Sequence, residues 1–322
     1  MEESIELLFQ DLYGTPSEKV AAITQVASLC KDIQVLEHVV HHDQLMSAFA
    51  RLLEEDSNAE MNFIIGKVLL AISKFQYFHE MLAKHRIGVI ILRAVELELK
   101  RVEYRMEAKS SVHINRQEHF LFVCLSILFN LAENVATLKK MVKKGLVPIV
   151  VGCLQMKLFA KSLMISLPLL KLSTIFEETA VEIANQGHNV IPQLTSMLNA
   201  RCVNIQSDVI SILFNLSFLD QCLDLISKQE VHKFLVDNLH EEELYPHAVC
   251  LLYHLSSKHE NRQQFFAAGV SEYLIKAMKK TAKKQVIDKA LAGLLVNVSC
   301  CVTYISISIS KSLLNYNYLL PL

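Results

Sequence analysis

Apolar residues return at spacings of three and four along almost the whole chain, a pattern that predicts short amphipathic helices nearly end to end. The helices come in sets, because one element recurs at the close of each set: a leucine, two variable positions, a second apolar residue, then Ser or Ala. It reads Leu128-Phe129-Asn130-Leu131-Ala132, Leu169-Leu170-Lys171-Leu172-Ser173, Leu213-Phe214-Asn215-Leu216-Ser217 and Leu252-Tyr253-His254-Leu255-Ser256, with a looser last copy from Leu294 to Ser299 around Asn297. The reference residues Asn130, Lys171, Asn215, His254 and Asn297 are separated by 41, 44, 39 and 43 positions. Two weaker copies, around Ser28 and Ala71, lie 43 apart.

A second marker keeps the same phase. Gly145, Gly187 and Gly269 follow their reference residues by 15, 16 and 15 positions, and Gly88 follows Ala71 by 17. Asp43 and Glu230 stand where glycine would at the other two junctions, so capping or packing is expected to make the break there, not backbone freedom. The best-written set predicts helices over Val135–Lys143, Leu146–Gln155 and Leu158–Ser173. No stretch before residue 300 alternates with period two for long enough to predict a sheet.

Three helices repeated every forty or so residues make the armadillo arrangement, ahead of HEAT units, which have two longer helices and usually lack the glycine. The expected fold is therefore all-α, an armadillo-repeat superhelical solenoid of about seven three-helix repeats. It occupies residues 1–299, with a charged insertion over 98–117 accounting for the long step of 59 between Ala71 and Asn130, and a divergent tail over 300–322. The pairs Glu96/Lys100 and Glu98/Arg101 predict a solvated helical extension at the start of the insertion.

Composition changes this picture little. Of 322 residues, 52% are hydrophobic and only 8 are Gly, which suits helices and leaves little from which to build a strained nucleotide loop. The net charge of -1 gives no drive toward nucleic acid. Eight scattered cysteines without a Cys-x-x-Cys fit small buried hydrophobes in a reducing compartment, and the acidic start at Glu2, Glu3, Glu6 and Asp11 is unlike a secretory signal. The uncharged run from Ala290 to Ser310 could span a bilayer by length, but its first half is already the last helix of a repeat and its second half is β-branched and serine-rich.

Catalytic and cofactor motifs are missing. His79-Glu80 begins like a zinc-protease helix, yet the next histidine is His85, six positions on and on a different face. The expectation is a protein that is not an enzyme and carries no cofactor or metal. Function is expected instead on the row of reference residues, which the repeat places at one helical position in successive third helices along a concave face. Asn130, Lys171, Asn215, His254 and Asn297 then form a partner-binding stripe. Each asparagine amide offers one acceptor and two donors to the main chain of an extended peptide. The competing reading is that these polar groups bond carbonyls of the adjacent repeat. Importin-type armadillo proteins place a tryptophan four residues before the asparagine. Here those positions are Ser126, Leu167, Ser211, Cys250 and Gly293, and the chain has no Trp, which disfavours nuclear-localisation cargo.

Several collinear segments go beyond the generic repeat. They are Phe9-Gln10-Asp11-Leu12-Tyr13-Gly14, Phe75-Gln76-Tyr77-Phe78-His79, Glu98-Leu99-Lys100-Arg101, Asn130-Leu131-Ala132-Glu133, Lys171-Leu172-Ser173 and Leu252-Tyr253-His254-Leu255-Ser256. From about residue 5 to residue 299 the chain resembles the armadillo region of the kinesin-associated protein family, as a truncated or divergent member, with the resemblance expected to end at Cys300. The resemblance implies an accessory subunit of heterotrimeric kinesin. Such a subunit binds motor tails and links them to cargo proteins in intraflagellar transport, is cytoplasmic with cytoskeletal and ciliary association, and meets membranes only through cargo. The alternative is an armadillo peptide-binding scaffold or transport adaptor that is not bound to kinesin.

Overall fold

The computed structural model describes residues 2–56, 58–107, 114–155, 160–185, 190–267, 269–284 and 288–299. Among them are twenty α-helices, two short 3-10 helices and no strand. They group into an incomplete first layer, α1 (Glu2–Asp11) and α2 (Pro16–Leu29), followed by six layers of three. The second layer is α3 (Ile33–His41), α4 (Asp43–Glu55) and α5 (Ala59–Ser73), and the third is α6 (His79–Lys84), α7 (Ile87–Glu107) and α8 (Ile114–Leu131). The fourth is α9 (Val135–Lys143), α10 (Leu146–Gln155) and α11 (Ala160–Ser173). These four layers make one compact unit, ending at Ser173.

The second unit begins at Thr174. Its layers are α12 (Glu177–Asn185), α13 (Val190–Ser196) and α14 (Val203–Leu216), then α15 (Asp220–Ser227), α16 (His232–Asp237) and α17 (Tyr245–Leu255), then α18 (His259–Ala267), α19 (Val270–Lys284) and α20 (Lys289–Ser299). Within each unit the third helices lie side by side: α2 on α5, α5 on α8 and α8 on α11 in the first, α14 on α17 and α17 on α20 in the second. The recurring leucines cause this. Leu69, Ile72, Leu128, Leu213, Leu216 and Leu252 are completely buried, and Leu255 is nearly so, so each element seals a third helix against its neighbours. Each such side chain contributes roughly 1.5–3 kcal/mol by leaving water.

The helix breaks follow the sequence at some junctions and depart from it at others. Gly145 and Gly269 adopt φ of +93° and +80°, the left-handed region where a side chain is strained. At Asp43 the break is a cap, as expected: the His42 imidazole Nδ1 accepts the Leu45 N–H at 3.1 Å and α4 starts at Asp43. Glu230 corrects the expectation, since it takes φ +54° itself and makes its turn through the backbone despite its Cβ. The junction after Ala71 also differs. Arg86 holds the left-handed position at φ +57°, while Gly88 is already inside α7, where an added Cβ would meet only Leu131 Cδ1 at 3.5 Å. Gly187 lies outside the described residues.

These backbone angles give a signed prediction. Glu230→Gly is expected to stabilise the protein by about 1 kcal/mol, and Gly145→Ala to destabilise it by about 1–2 kcal/mol although nothing lies within 4 Å of the added methyl. Urea unfolding midpoints of the two variants should move in opposite directions. The same sign for both would show that φ does not set the cost.

The insertion is mostly helix. Its start continues α7 to Glu107 and its end opens α8 at Ile114, and residues 108–113 are outside the description. The Lys100–Glu96 pair is solvated as expected, with Nζ 2.7 Å from Oε1. Glu98 is not: it pairs with Arg101, yet it is only 7% exposed. The reason is its register, three residues after the buried Val95 and four before the buried Val102, which turns it inward.

Candidate functional site

The reference residues stand near the C-terminal ends of the third helices, and all five of Asn130, Lys171, Asn215, His254 and Asn297 are half-buried. Asn130 and Lys171 belong to the first unit and Asn215, His254 and Asn297 to the second. The asparagines share one local geometry. Asn130 Nδ2 donates to Ser73 Oγ at 2.9 Å, Asn215 Nδ2 to Thr174 Oγ1 at 3.0 Å and Asn297 Nδ2 to Ser256 Oγ at 2.8 Å. His254 Nδ1 lies 2.8 Å from Ser217 Oγ. In every case the partner is the hydroxyl that ends, or directly follows, the corresponding element of the preceding layer.

The serine protons fix the direction of these bonds. Ser73 Oγ donates to Leu70 O at 3.0 Å, Ser217 Oγ to Phe214 O at 2.6 Å and Ser256 Oγ to Tyr253 O at 2.6 Å, so each hydroxyl is left as an acceptor toward the next layer. His254 therefore carries its proton on Nδ1, an assignment made from this network. The asparagines do bond the neighbouring layer, as the competing sequence reading held, but to hydroxyls and with one N–H each. Their other N–H and their carbonyl oxygens have no protein partner among the described residues, which leaves each amide able to meet a peptide group.

Aromatic rings flank this row in the second unit. Phe218 is 70% exposed, with its ring centroid 4.4 Å from that of His254 and 5.3 Å from Phe214. At Gly293, the position where importin-type repeats carry tryptophan, an added Cβ would lie 2.5 Å from Tyr253 Cε2. The ring of the preceding layer already fills that space, which agrees with the sequence argument against a stacking tryptophan there.

The sequence signature of the kinesin-associated protein family matches residues 1–110 and 104–315 of the chain. This chain belongs to that family. The two matched stretches meet inside the charged insertion, and the second runs past Ser299, so the family resemblance does not end at Cys300. Among solved structures, an engineered protein from a structural-genomics consortium is 16% identical, with TM-score 0.64 over 94% of this chain and 68% of its own. A designed armadillo repeat protein is 12% identical, with TM-score 0.59 over 77% of this chain and 98% of its own. A related design, solved in complex with the peptide (KR)4, is 11% identical, with TM-score 0.57 over 77% and 98%. At these identities the likeness shows the armadillo fold.

The two histidines of the zinc-protease-like segment in this kinesin-associated protein family member have structural partners. His79 Nε2 is 2.7 Å from the Ser73 carbonyl, and His85 Nε2 is 3.2 Å from Asp43 Oδ1. Cys30, Cys124, Cys153 and Cys222 are buried, and burial pushes the Cys30 and Cys153 thiols up to about 12 and Cys222 to about 11, far from a reactive thiolate. Lys139, Lys140, Lys143 and Lys144 are exposed around the C-terminus of α9, where cations favour the helix dipole. The side chains of residues 279–284 and everything from Cys300 lie outside the described residues. Among the described residues no helix is long and apolar enough to cross a membrane.

Burial lowers the His254 pKa below its ordinary value, and burial also lowers that of His232 against the opposing charge of Glu230. A histidine held neutral in the folded state contributes stability that is complete above its unfolded pKa of about 6.5 and is lost as pH falls through its lower folded value. Thermal unfolding should therefore show wild type ahead of His254→Gln at pH 8, with the gap closing as pH drops below about 6.5. A gap that widened on acidification would overturn the assignment.

Proposed function

We propose that this chain is a non-enzymatic accessory subunit that binds kinesin motor tails on its third-helix faces and links the motor to cargo proteins in microtubule-based, intraflagellar transport, in the cytoplasm and at the cytoskeleton and cilium. The observation that carries this reading is family membership over nearly the whole described chain. The half-spent amides of Asn130, Asn215 and Asn297 support it by offering an acceptor and a donor to an extended main chain whatever its sequence. His254 stands in the same register between Asn215 and Asn297 in the second unit and would set charge and shape there, and Lys171 holds that register in the first unit.

The experiment is capture of purified motor-subunit tail segments by the immobilised chain. Retention of the tails at near-physiological salt is expected. A correctly folded chain that retains none would sink the reading. It would leave the second one, an armadillo scaffold for other peptides, which the sequence-independent chemistry of the same amides favours.

A further inference from the structure

A polar cavity of about 380 Å³ lies in the first unit, away from the row of reference residues and walled by the N-terminal turns of α5 and α8 and the C-terminal half of α7. Its polar walls are Asp56, Asn62, Glu98, Arg101, Arg105 and Gln117. Most of these groups satisfy one another. Arg101 bridges the two acids, Nη1 to Glu98 Oε1 and Nη2 to Asp56 Oδ2. Gln117 Nε2 donates to Glu98 Oε2 at 2.9 Å, and Asn62 Nδ2 donates to Asp56 Oδ1.

Two atoms are left over. Asn62 is 97% buried, and its Oδ1 accepts nothing; the Nη1 of Arg105 is also buried and donates to nothing. Leaving such groups unpaired costs roughly 1–3 kcal/mol each, so their presence on one cavity wall asks for an occupant. The chemistry of that occupant follows from what remains. Two carboxylates and two guanidinium groups cancel overall, so an added charge would leave the cavity with a net charge held out of water. What is wanted is one acceptor for Arg105 and one donor for Asn62, and an uncharged amide supplies both.

We propose that this cavity is a second recognition site, independent of the third-helix face, that receives an amide group of a partner polypeptide: its carbonyl oxygen on Arg105 Nη1 and its N–H on Asn62 Oδ1. The amide can be the side chain of Asn or Gln or a main-chain peptide group. The insertion at 98–117 thereby gains a role, since Glu98, Arg101, Arg105 and Gln117 come from its two flanks.

The test is a side-chain amide NMR titration of the labelled full chain with three capped tripeptides, acetyl-Gly-Gln-Gly-amide, acetyl-Gly-Ala-Gly-amide and acetyl-Gly-Glu-Gly-amide. The Gln peptide is expected to shift the Asn62 and Gln117 resonances in a saturable way. A matching response to the Ala peptide would assign the main-chain group as the ligand, and a weaker one the side chain. Arg105→Met, which removes the donor from a half-buried position, should weaken binding about tenfold, the worth of one hydrogen bond to a charged donor. Tighter binding of the Glu peptide would overturn the proposal in favour of a carboxylate site. Silence with all three probes, water alone then serving the two atoms, would overturn it outright. Should Arg105→Met not fold, the comparison of peptides on the wild type decides alone.

Discussion

Leu252→Ala lowers stability by about 2–5 kcal/mol, the usual cost of emptying a completely buried leucine site. Leu252 sits on α17, the middle member of the second unit's third-helix row, which packs on α14 and on α20, so its loss opens a void inside that row. The surrounding side chains are held by their own helices and close over such a void only in part. The control is Val296→Ala on α20, where the side chain is 59% exposed, and the midpoint should stay within about 0.5 kcal/mol of wild type. Equal shifts for the two variants, measured by urea unfolding, would mean that the third-helix leucines are not what seals the stack.

Asn215→Ala combined with Asn297→Ala has the largest expected effect on binding. Each amide can give a peptide group two hydrogen bonds worth about 0.5–1.5 kcal/mol apiece, so the four bonds of the pair are worth about 2–6 kcal/mol, and capture of a motor tail should weaken by roughly 30-fold or more. The variant also loses the bonds to Thr174 and Ser256, so a stability loss of about 2 kcal/mol accompanies it. Ser256→Ala separates the two effects, because it removes the acceptor of the layer-to-layer bond and leaves the Asn297 amide in place. That variant should lose stability, while its tail affinity falls only by the cost of freezing the freed Asn297 amide, about 0.5–1.5 kcal/mol. If the double asparagine variant folds and binds tails like wild type, the row of reference residues is structural only.

Much of this architecture was legible because helical periodicity reports which face of a segment is buried. The set Val135–Lys143, Leu146–Gln155 and Leu158–Ser173 matches the observed helices wherever residues are described, Leu158 and Phe159 lying outside them. What periodicity cannot carry is the sign of φ at a junction. Glu230 and Arg86 take left-handed turns with side chains that do not favour them, and Gly88 sits in a helix two residues after the turn it was expected to make. The direction of the polar contacts was half legible. The serine that ends each element and the reference residue of the next layer are both plain in the sequence, but their pairing depends on the stagger between helices. Glu98 carried a signal that its charge obscured. It interrupts the apolar row Ile91, Val95 and Val102 at heptad spacing, and a carboxylate there must find partners in the interior, which Arg101 and Gln117 supply.

The bond from each reference asparagine to the hydroxyl of the layer before it has a consequence for speed and selectivity. A free surface amide must surrender its rotational freedom when a ligand arrives, at about 0.5–1.5 kcal/mol per side chain. Here the neighbouring serine or threonine has already frozen that rotation during folding, so under the proposed binding mode the amides are aimed before a strand arrives. Within the second unit, the proposed binding mode rewards a segment long enough to engage Asn215 and Asn297 together and gives little to a short peptide that reaches only one.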